Sequence, residues 1–278
     1  MRPILRKVKK VRNSIGFLLL FAIIILSSCS DYNKLLKSSD YTKKYDAAIA
    51  YYNKKEYSKA LALLEELVSV YRGTDKAEKI MYYYAYATYL SGDYLLAGYH
   101  FNNYVKTFPA SVHTEECAYM YAYCFYEESP RYSLDPTDTK TAIKELQSFI
   151  NKYPNSEKIT QCNELIAKLR AKLEMKAFEI AKQYYFLLDY KAAVVSFENV
   201  LKDFPDSKYR EEAMFMIVKS HFSYAEKSVE KKKAERFKAT IEAYNKFVSY
   251  YPDTSKYNKE AEGIYFSSKK QLETINKQ

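Results

Sequence analysis

The chain has 278 residues, of which only five are glycine and seven are proline, and its formal net charge is +10. Because glycine and proline make the turns of β-sandwiches and barrels, this composition argues against a many-stranded β fold. It also excludes glycine-rich phosphate loops and the nucleophile motif of α/β-hydrolases. The many Ala, Leu, Glu and Lys residues, in a chain with 28% charged residues, predict an all-helical protein.

The positive charge is concentrated at the amino terminus. Six arginines and lysines precede residue 13, whereas the first acidic residue is Asp31. The net charge of +10 falls to +4 when these six charges are removed. A mild basic excess of this kind is common on soluble proteins, so we expect no nucleic-acid binding.

An apolar run from Ile15 to Leu26 follows the basic residues. A bilayer-spanning helix needs about 20 apolar residues, so this run is too short to be an ordinary transmembrane anchor. A basic segment, an apolar segment and small residues in this order are typical of a secretory signal peptide, which we assign to residues 1–28.

The sequence Leu26-Ser27-Ser28-Cys29 resembles the lipobox of bacterial lipoproteins. This resemblance implies cleavage before Cys29, acylation of that cysteine and a lipidated tether over residues 29–40. The alternative is a plain signal peptide with an incidental cysteine. Ser30 stands where aspartate signals inner-membrane retention in many lipoproteins, so the expected location is the outer membrane, with the chain facing the periplasm.

Three cysteines remain after the lipobox, and they are expected to be buried apolar residues. Cys117 and Cys124 are seven residues apart and would lie about 10 Å apart on one helix face, too far for a disulfide. The three histidines are scattered along the chain. The sequence therefore predicts neither a metal site nor a cofactor.

Residues 41–278 contain five copies of one sequence pattern. Four copies end in an aromatic-proline pair, which stops a helix because proline disfavours helical geometry in the residue before it. A small residue lies twelve positions before each proline, and the first copy has the small residue but Arg72 in place of proline. The small residues are Ala60, Ala97, Ala142, Ala193 and Thr240, and the aromatic-proline pairs are Phe108-Pro109, Tyr153-Pro154, Phe204-Pro205 and Tyr251-Pro252.

These offsets match the second helix of the tetratricopeptide repeat, in which the small residue allows close helix approach. Ala85 and Ala181 occupy the corresponding small position of the first helix. The predicted fold is an all-α solenoid of about five helix pairs, with the polar stretch from Lys256 to Gln278 as a capping helix. The segments Ser129–Thr139 and Lys227–Arg236 make the spacing longer than in a minimal repeat.

The chain has 31 tyrosines, more than buried helix faces alone require. Tyrosine suits the rim of a core and also suits peptide contacts, so some of these side chains are expected to line a groove. The alternative is a composition bias without a binding role. The candidate groove residues lie on the first helices of repeats one and two: Tyr51, Tyr52, Tyr82, Tyr86 and Tyr89.

A lipobox cysteine followed by five such repeats resembles the BamD family of outer-membrane protein assembly lipoproteins. The resemblance is carried by Glu56–Ala60, Met120–Tyr123, Phe149–Ser156 and Lys191–Asp206, and by a helix expected to continue through Leu165–Glu174. It implies a non-enzymatic member of the machine that inserts β-barrel proteins. In that family the N-terminal repeats hold an extended substrate signal, and the C-terminal repeats dock a BamA-type barrel partner.

Two other functions remain open at this point. The chain could be a tetratricopeptide lipoprotein that organises other envelope partners. An enzyme such as a helical glycosidase would need a catalytic acid in a cleft, whereas the acids here fall at solvated helix positions. The mixed charges from Glu226 to Arg236 are expected to form a solvated face.

Overall fold

The computed structural model describes residues 31–252 and 255–277, and the regular structure of these residues is helical. A short helix over residues 31–37 precedes eleven longer helices in this part of the chain. The longer helices are α1 (Tyr41–Asn53), α2 (Tyr57–Val70), α3 (Ala77–Leu90), α4 (Tyr94–Thr107), α5 (Thr114–Glu128), α6 (Thr137–Lys152), α7 (Ile159–Phe186), α8 (Tyr190–Asp203), α9 (Arg210–Glu226), α10 (Glu230–Tyr250) and α11 (Asn258–Ile275).

Helix α1 packs against α2, α3 against α4 and α9 against α10, as predicted. Tyr119 on α5 contacts Phe149 on α6, and Phe178 on α7 contacts Phe197 on α8. Each predicted small residue is fully buried, including Thr240. A larger side chain there would push neighbouring helices apart, so these positions set the helix spacing. The all-α fold of helix pairs is confirmed, and α11 packs on α10 and α9 as the expected cap.

Helices α4, α6 and α8 each end directly before an aromatic-proline pair, as predicted. The first repeat has Arg72 instead of proline, yet α2 still ends at Val70. Gly73 adopts a φ of 79° there, a left-handed conformation that costs glycine little. The missing proline is therefore replaced by a glycine turn, and the next helix begins normally at Ala77.

Three of the connections that follow aromatic-proline pairs contain a serine with the same role. Its hydroxyl accepts a hydrogen bond from the backbone N–H two residues later and donates to a glutamate of the preceding repeat's first helix. These serine–glutamate bonds are Ser111 to Glu78 at 2.6 Å, Ser207 to Glu174 at 2.5 Å and Ser255 to Glu211 at 2.5 Å. Each of these three connections is thus bonded to the repeat before it.

Aromatic stacking strengthens the same connections. The ring two residues after the serine packs on an aromatic side chain four residues after the glutamate. The stacked pairs are Phe178 with Tyr209 (4.5 Å between centroids), Phe215 with Tyr257 (4.6 Å) and, tilted, Tyr82 with His113 (4.6 Å). This recurrence explains part of the tyrosine content as a structural requirement.

The described residues divide into two compact units. The first unit holds residues 31–128 and 145–159, and the second holds residues 129–144 and 160–277. Cys117 and Cys124 of the first unit and Cys162 of the second are buried, as expected. Within the part of the chain that the structure describes, no helix has the length and apolar character needed to cross a membrane.

The two predicted insertions are ordered additions to the second unit. Lys172 on α7 donates from Nζ to the Ser129 and Pro130 carbonyls at 2.9 and 3.2 Å, which holds the connection before α6. The charged stretch from Glu226 forms the turn after α9 and the start of α10, where Arg236 lies over the Tyr224 ring at 3.8 Å. The stretch is thus mostly a helix face, as expected.

Leu188 occupies a strained position in the turn between α7 and α8. Its φ is 65°, and Gly92 has a φ of 90° at the equivalent position between α3 and α4. A bulky residue in this conformation costs about 1–2 kcal/mol. We expect Leu188→Gly to raise the free energy of unfolding by about 1 kcal/mol in urea titrations.

Gly92→Leu is the reciprocal control for this prediction. A Cβ at Gly92 would meet nothing within 4 Å, so any loss of stability reports backbone strain alone. We expect this variant to lose about as much as Leu188→Gly gains. If the parent protein, Leu188→Gly and Gly92→Leu all have the same free energy of unfolding, the left-handed backbone conformation is not strained in either turn.

Candidate functional site

Half-buried tyrosines form a continuous surface on the first helices of the first unit. We call this surface the tyrosine ribbon, and it consists of Tyr52 on α1, Tyr82, Tyr86 and Tyr89 on α3, and Tyr123 and Tyr126 on α5. The α3 residues are spaced i, i+4, i+7, which places them on one helix face. Ala85, between Tyr82 and Tyr86, is fully buried, so the tyrosines lie beside the core-facing stripe.

Glu116 is the polar centre of the ribbon. It lies in the first turn of α5 and accepts hydrogen bonds from the Tyr86 hydroxyl at 2.5 Å and from the Tyr82 hydroxyl at 3.2 Å. His113 Nδ1 lies 3.5 Å from the same carboxylate. The two hydroxyls are therefore oriented by the next repeat, while the rings of Tyr82 and Tyr86 pack 4.7 Å apart.

Tyr52 joins the ribbon from α1. Its ring packs against Tyr83 at 4.8 Å, and Tyr83 packs in turn against Tyr82 at 5.9 Å. Tyr89 lies at the other end of α3 and reaches Tyr123 at 6.3 Å. The structure therefore brings four of the five predicted groove residues onto one surface.

Tyr51 is the predicted groove residue that lies apart from the ribbon. Its ring packs edge-on against Tyr32 at 5.4 Å, and Lys59 Nζ lies 5.2 Å from it. Tyr51 also packs against the buried core of the first repeat. Its contacts are those of a residue that holds the amino-terminal segment rather than one of the ribbon.

The sequence prediction missed Tyr123 and Tyr126, which extend the ribbon onto α5. Their rings stack with an interplanar angle of 24° and centroids 5.5 Å apart. The sequence pattern could have identified them, because Ala122 occupies the same buried position relative to Tyr123 as Ala85 does relative to Tyr86. Applying the helix register of repeat two to repeat three would have found both.

The predicted lipidation site, Cys29, and the signal peptide lie outside the described residues. The segment after them is helical over residues 31–37 and packs on the first repeat. The Tyr32 hydroxyl donates to the Lys59 carbonyl at 3.1 Å, and the fully buried Lys44 donates from Nζ to the Leu36 carbonyl at 2.9 Å. Both ends of this short helix are thus bonded to repeat one.

The first unit also contains a pocket between α2, α3 and α4. It is a cleft of about 690 Å³, lined in part by Arg72, Tyr84, Tyr99 and His100. Burial lowers the pKa of His100, so its ring is neutral at pH 7. None of the ribbon tyrosines lines this cleft, whose walls come from α2, α3 and α4.

Burial raises the pKa values of several ribbon tyrosines. The pKa of Tyr52 is raised to about 12 by burial and then by Tyr57, and the pKa of Tyr89 is raised to about 12 by burial and then by Glu127. Burial and Glu116 also raise the pKa of Tyr86 far above its ordinary value. All these phenols are protonated at physiological pH.

These raised pKa values predict a loss of stability in alkali. The folded chain keeps phenol protons that the unfolded chain releases above about pH 10, so stability falls as the pH rises from about 10 to 12. Urea unfolding measured across this range, with tyrosinate absorbance at 295 nm, tests the prediction. The Tyr52→Phe, Tyr89→Phe variant keeps both rings and should decline less steeply, whereas an identical decline would contradict the assignment.

The chain is similar to proteins that are named as outer membrane protein assembly factors. It is 23% identical over 138 residues to "Outer membrane protein assembly factor BamD" of Caulobacter vibrioides, an alignment that covers 50% of this chain and 45% of that protein. It is 22% identical over 227 residues to the protein of the same name from Haemophilus influenzae, covering 78% of this chain and 84% of that one.

Among solved structures, the chain resembles the P58(IPK) TPR domain, with a TM-score of 0.40 and 13% identity over 88% of this chain and 69% of that one. The TPR2AB domain of yeast Sti1 in complex with pHSP90 gives a TM-score of 0.38 and 13% identity, covering 83% and 99%. A family model described as "Outer membrane lipoprotein" matches residues 37–236 and 177–275. The chain therefore belongs to the YfiO family of outer membrane lipoproteins.

Proposed function

We propose that this chain is the tetratricopeptide lipoprotein of the BAM complex, which assists the folding and insertion of β-barrel proteins into the outer membrane. The family match across residues 37–275 carries this proposal. The role is that of a non-enzymatic scaffold that binds other polypeptides through its helix pairs. The relatives named as assembly factors support it, because the alignment to the Haemophilus influenzae protein covers 78% of this chain.

The tyrosine ribbon is the proposed site for an unfolded β-barrel segment. Such a segment exposes alternating aromatic side chains and unpaired backbone groups, and a surface of aromatic rings suits the side chains. The Tyr82 and Tyr86 hydroxyls already donate to Glu116. Because a phenol oxygen can also accept, both remain able to bind backbone N–H groups of an extended peptide.

The second unit is the proposed docking region for the BamA-type barrel partner. It exposes apolar side chains that a soluble surface does not require, among them Phe186 at the end of α7, Leu187 in the turn that follows and Val229 before α10. Exposed apolar side chains of this kind are characteristic of protein interaction sites. A partner that covers them would remove their contact with water.

Cys29 is the proposed attachment point to the outer membrane, with the repeats in the periplasm. Several acyl chains on one cysteine anchor a protein stably, since each buried methylene contributes about 0.8 kcal/mol. The Cys29→Ala variant tests this step alone. We expect it to accumulate as uncleaved precursor without acyl mass in intact-protein mass spectrometry.

Co-purification tests the assembly role. The full-length chain with a carboxy-terminal tag should recover a BamA-type barrel protein from detergent extracts of outer membranes. Depletion should lower the abundance of outer-membrane barrel proteins while secretion of periplasmic proteins continues. A normal set of barrel proteins after depletion would instead indicate a lipoprotein that organises other envelope partners.

A further inference from the structure

The segment that connects the proposed anchor to the first repeat is very short. Asp31 begins the short helix, and Tyr32 is bonded to the Lys59 carbonyl at the start of α2. Its ring also contacts Tyr51 near the end of α1. Residue 31 is therefore held beside the turn that connects α1 to α2.

One residue, Ser30, lies between Cys29 and Asp31, and two fully extended Cα–Cα steps span roughly 7 Å. If Cys29 carries acyl chains, as proposed above, the turn between α1 and α2 must lie close to the lipid headgroups. A longer tether would require the short helix to separate from repeat one, and the hydrogen bonds made by Tyr32 and Lys44 would oppose this separation. The attachment therefore determines which edge of the first unit faces the membrane.

The turn between α3 and α4 lies at the same edge. Helices α1 and α3 are both first helices of antiparallel pairs, so the turns that follow them lie at the same end of the stack. Tyr52, near the end of α1, packs 4.8 Å from Tyr83 on α3, which places the two helices side by side. We call this end of the first unit the anchor edge, and it contains residues 54–56 and 90–96.

The anchor edge exposes apolar and charged side chains together. Leu95 is 72% exposed, and Leu90 and Leu96 are each about two-fifths exposed. Lys54 and Lys55 are exposed in the neighbouring turn, while Asp93 is exposed and Glu56 is partly exposed at the same edge. Leucines that enter the headgroup region beside lysines that attract anionic lipids are typical of a surface that lies on a membrane.

We infer that the anchor edge rests on a phospholipid leaflet, with Leu95 inserted among the headgroups and Lys54 and Lys55 facing anionic lipids. This contact is additional to the acyl anchor, and it orients the first unit. In this orientation the connections between repeats, including Val112, point away from the leaflet. The inference rests on the proposed lipidation of Cys29 for its geometry.

Site-directed spin labelling tests the inference with a matched pair of full-length proteins. Leu95→Cys places the label on the anchor edge, and Val112→Cys places it on the opposite edge of the same unit, where Val112 is 89% exposed. The three native cysteines of the repeats are buried and should remain unlabelled. Each acylated protein is reconstituted into vesicles of phosphatidylethanolamine and phosphatidylglycerol.

We expect the Leu95→Cys label to be several-fold more accessible to lipid-soluble oxygen than to an aqueous nickel chelate, and the Val112→Cys label to show the reverse. If both labels remain aqueous, the inference is wrong. If both enter the lipid, the assignment of the edge is wrong. Mass spectrometry of the same samples separates this result from the lipidation proposal, because an acylated protein with an aqueous Leu95→Cys label contradicts the membrane contact alone.

Discussion

Phe197→Ala should lower the free energy of unfolding by about 3–5 kcal/mol, the range for removing a buried aromatic side chain. Phe197 is fully buried in the core of the second unit, where its ring lies 5.8 Å from that of Phe178. Alanine would leave a cavity between α7, α8 and α9 that a stack of helix pairs cannot close without moving the repeats. Urea unfolding followed by circular dichroism measures the loss.

Val195→Ala is the control for this prediction, because Val195 lies on the same helix but is half exposed. It should change the free energy of unfolding by less than about 0.5 kcal/mol. The thermal midpoint of Phe197→Ala should fall by roughly 6–20 °C while that of the control stays near the parent value. Similar losses in both variants would show that Phe197 does not lie at the centre of the core.

The double variant Tyr82→Ala, Tyr86→Ala should lose most of the crosslinking between the chain and a peptide from the carboxy terminus of a β-barrel protein. Central aromatic residues of a peptide site contribute about 1–2 kcal/mol each, so the pair should weaken binding roughly 30- to 800-fold. Both rings are half buried and leave part of their surface for a ligand. Photocrosslinking across a peptide titration measures the change.

Two further variants make this experiment specific. Tyr99→Ala removes an exposed tyrosine of α4 that lies outside the ribbon, and it should leave crosslinking unchanged. Tyr86→Phe keeps the ring and removes the hydroxyl that donates to Glu116, so it separates ring contacts from oxygen contacts. Unchanged crosslinking in a folded double-alanine protein would remove the support for the ribbon as the peptide site.

The helix ends and the register of the repeats were predictable because both are local properties. Proline prevents its preceding residue from continuing a helix, and this alone places the ends of α4, α6 and α8. The small residues predicted from their offset to proline are all buried. The face that carries Tyr82, Tyr86 and Tyr89 follows from helical periodicity alone.

The tertiary structure decided how those side chains are used. Glu116 lies 30 or more residues from Tyr82 and Tyr86 along the chain, and helical periodicity contains no information about which repeat supplies a partner. Periodicity likewise did not predict the partner of Lys44, whose buried side chain bonds to the Leu36 carbonyl and joins two segments separated by a turn.

Sequence by itself determined an all-helical repeat protein and the faces of its helices, because these depend on neighbouring residues. Only packing between helices decided that Tyr51 braces the amino-terminal helix while Tyr52 joins the ribbon, because that choice depends on side chains brought together by the fold.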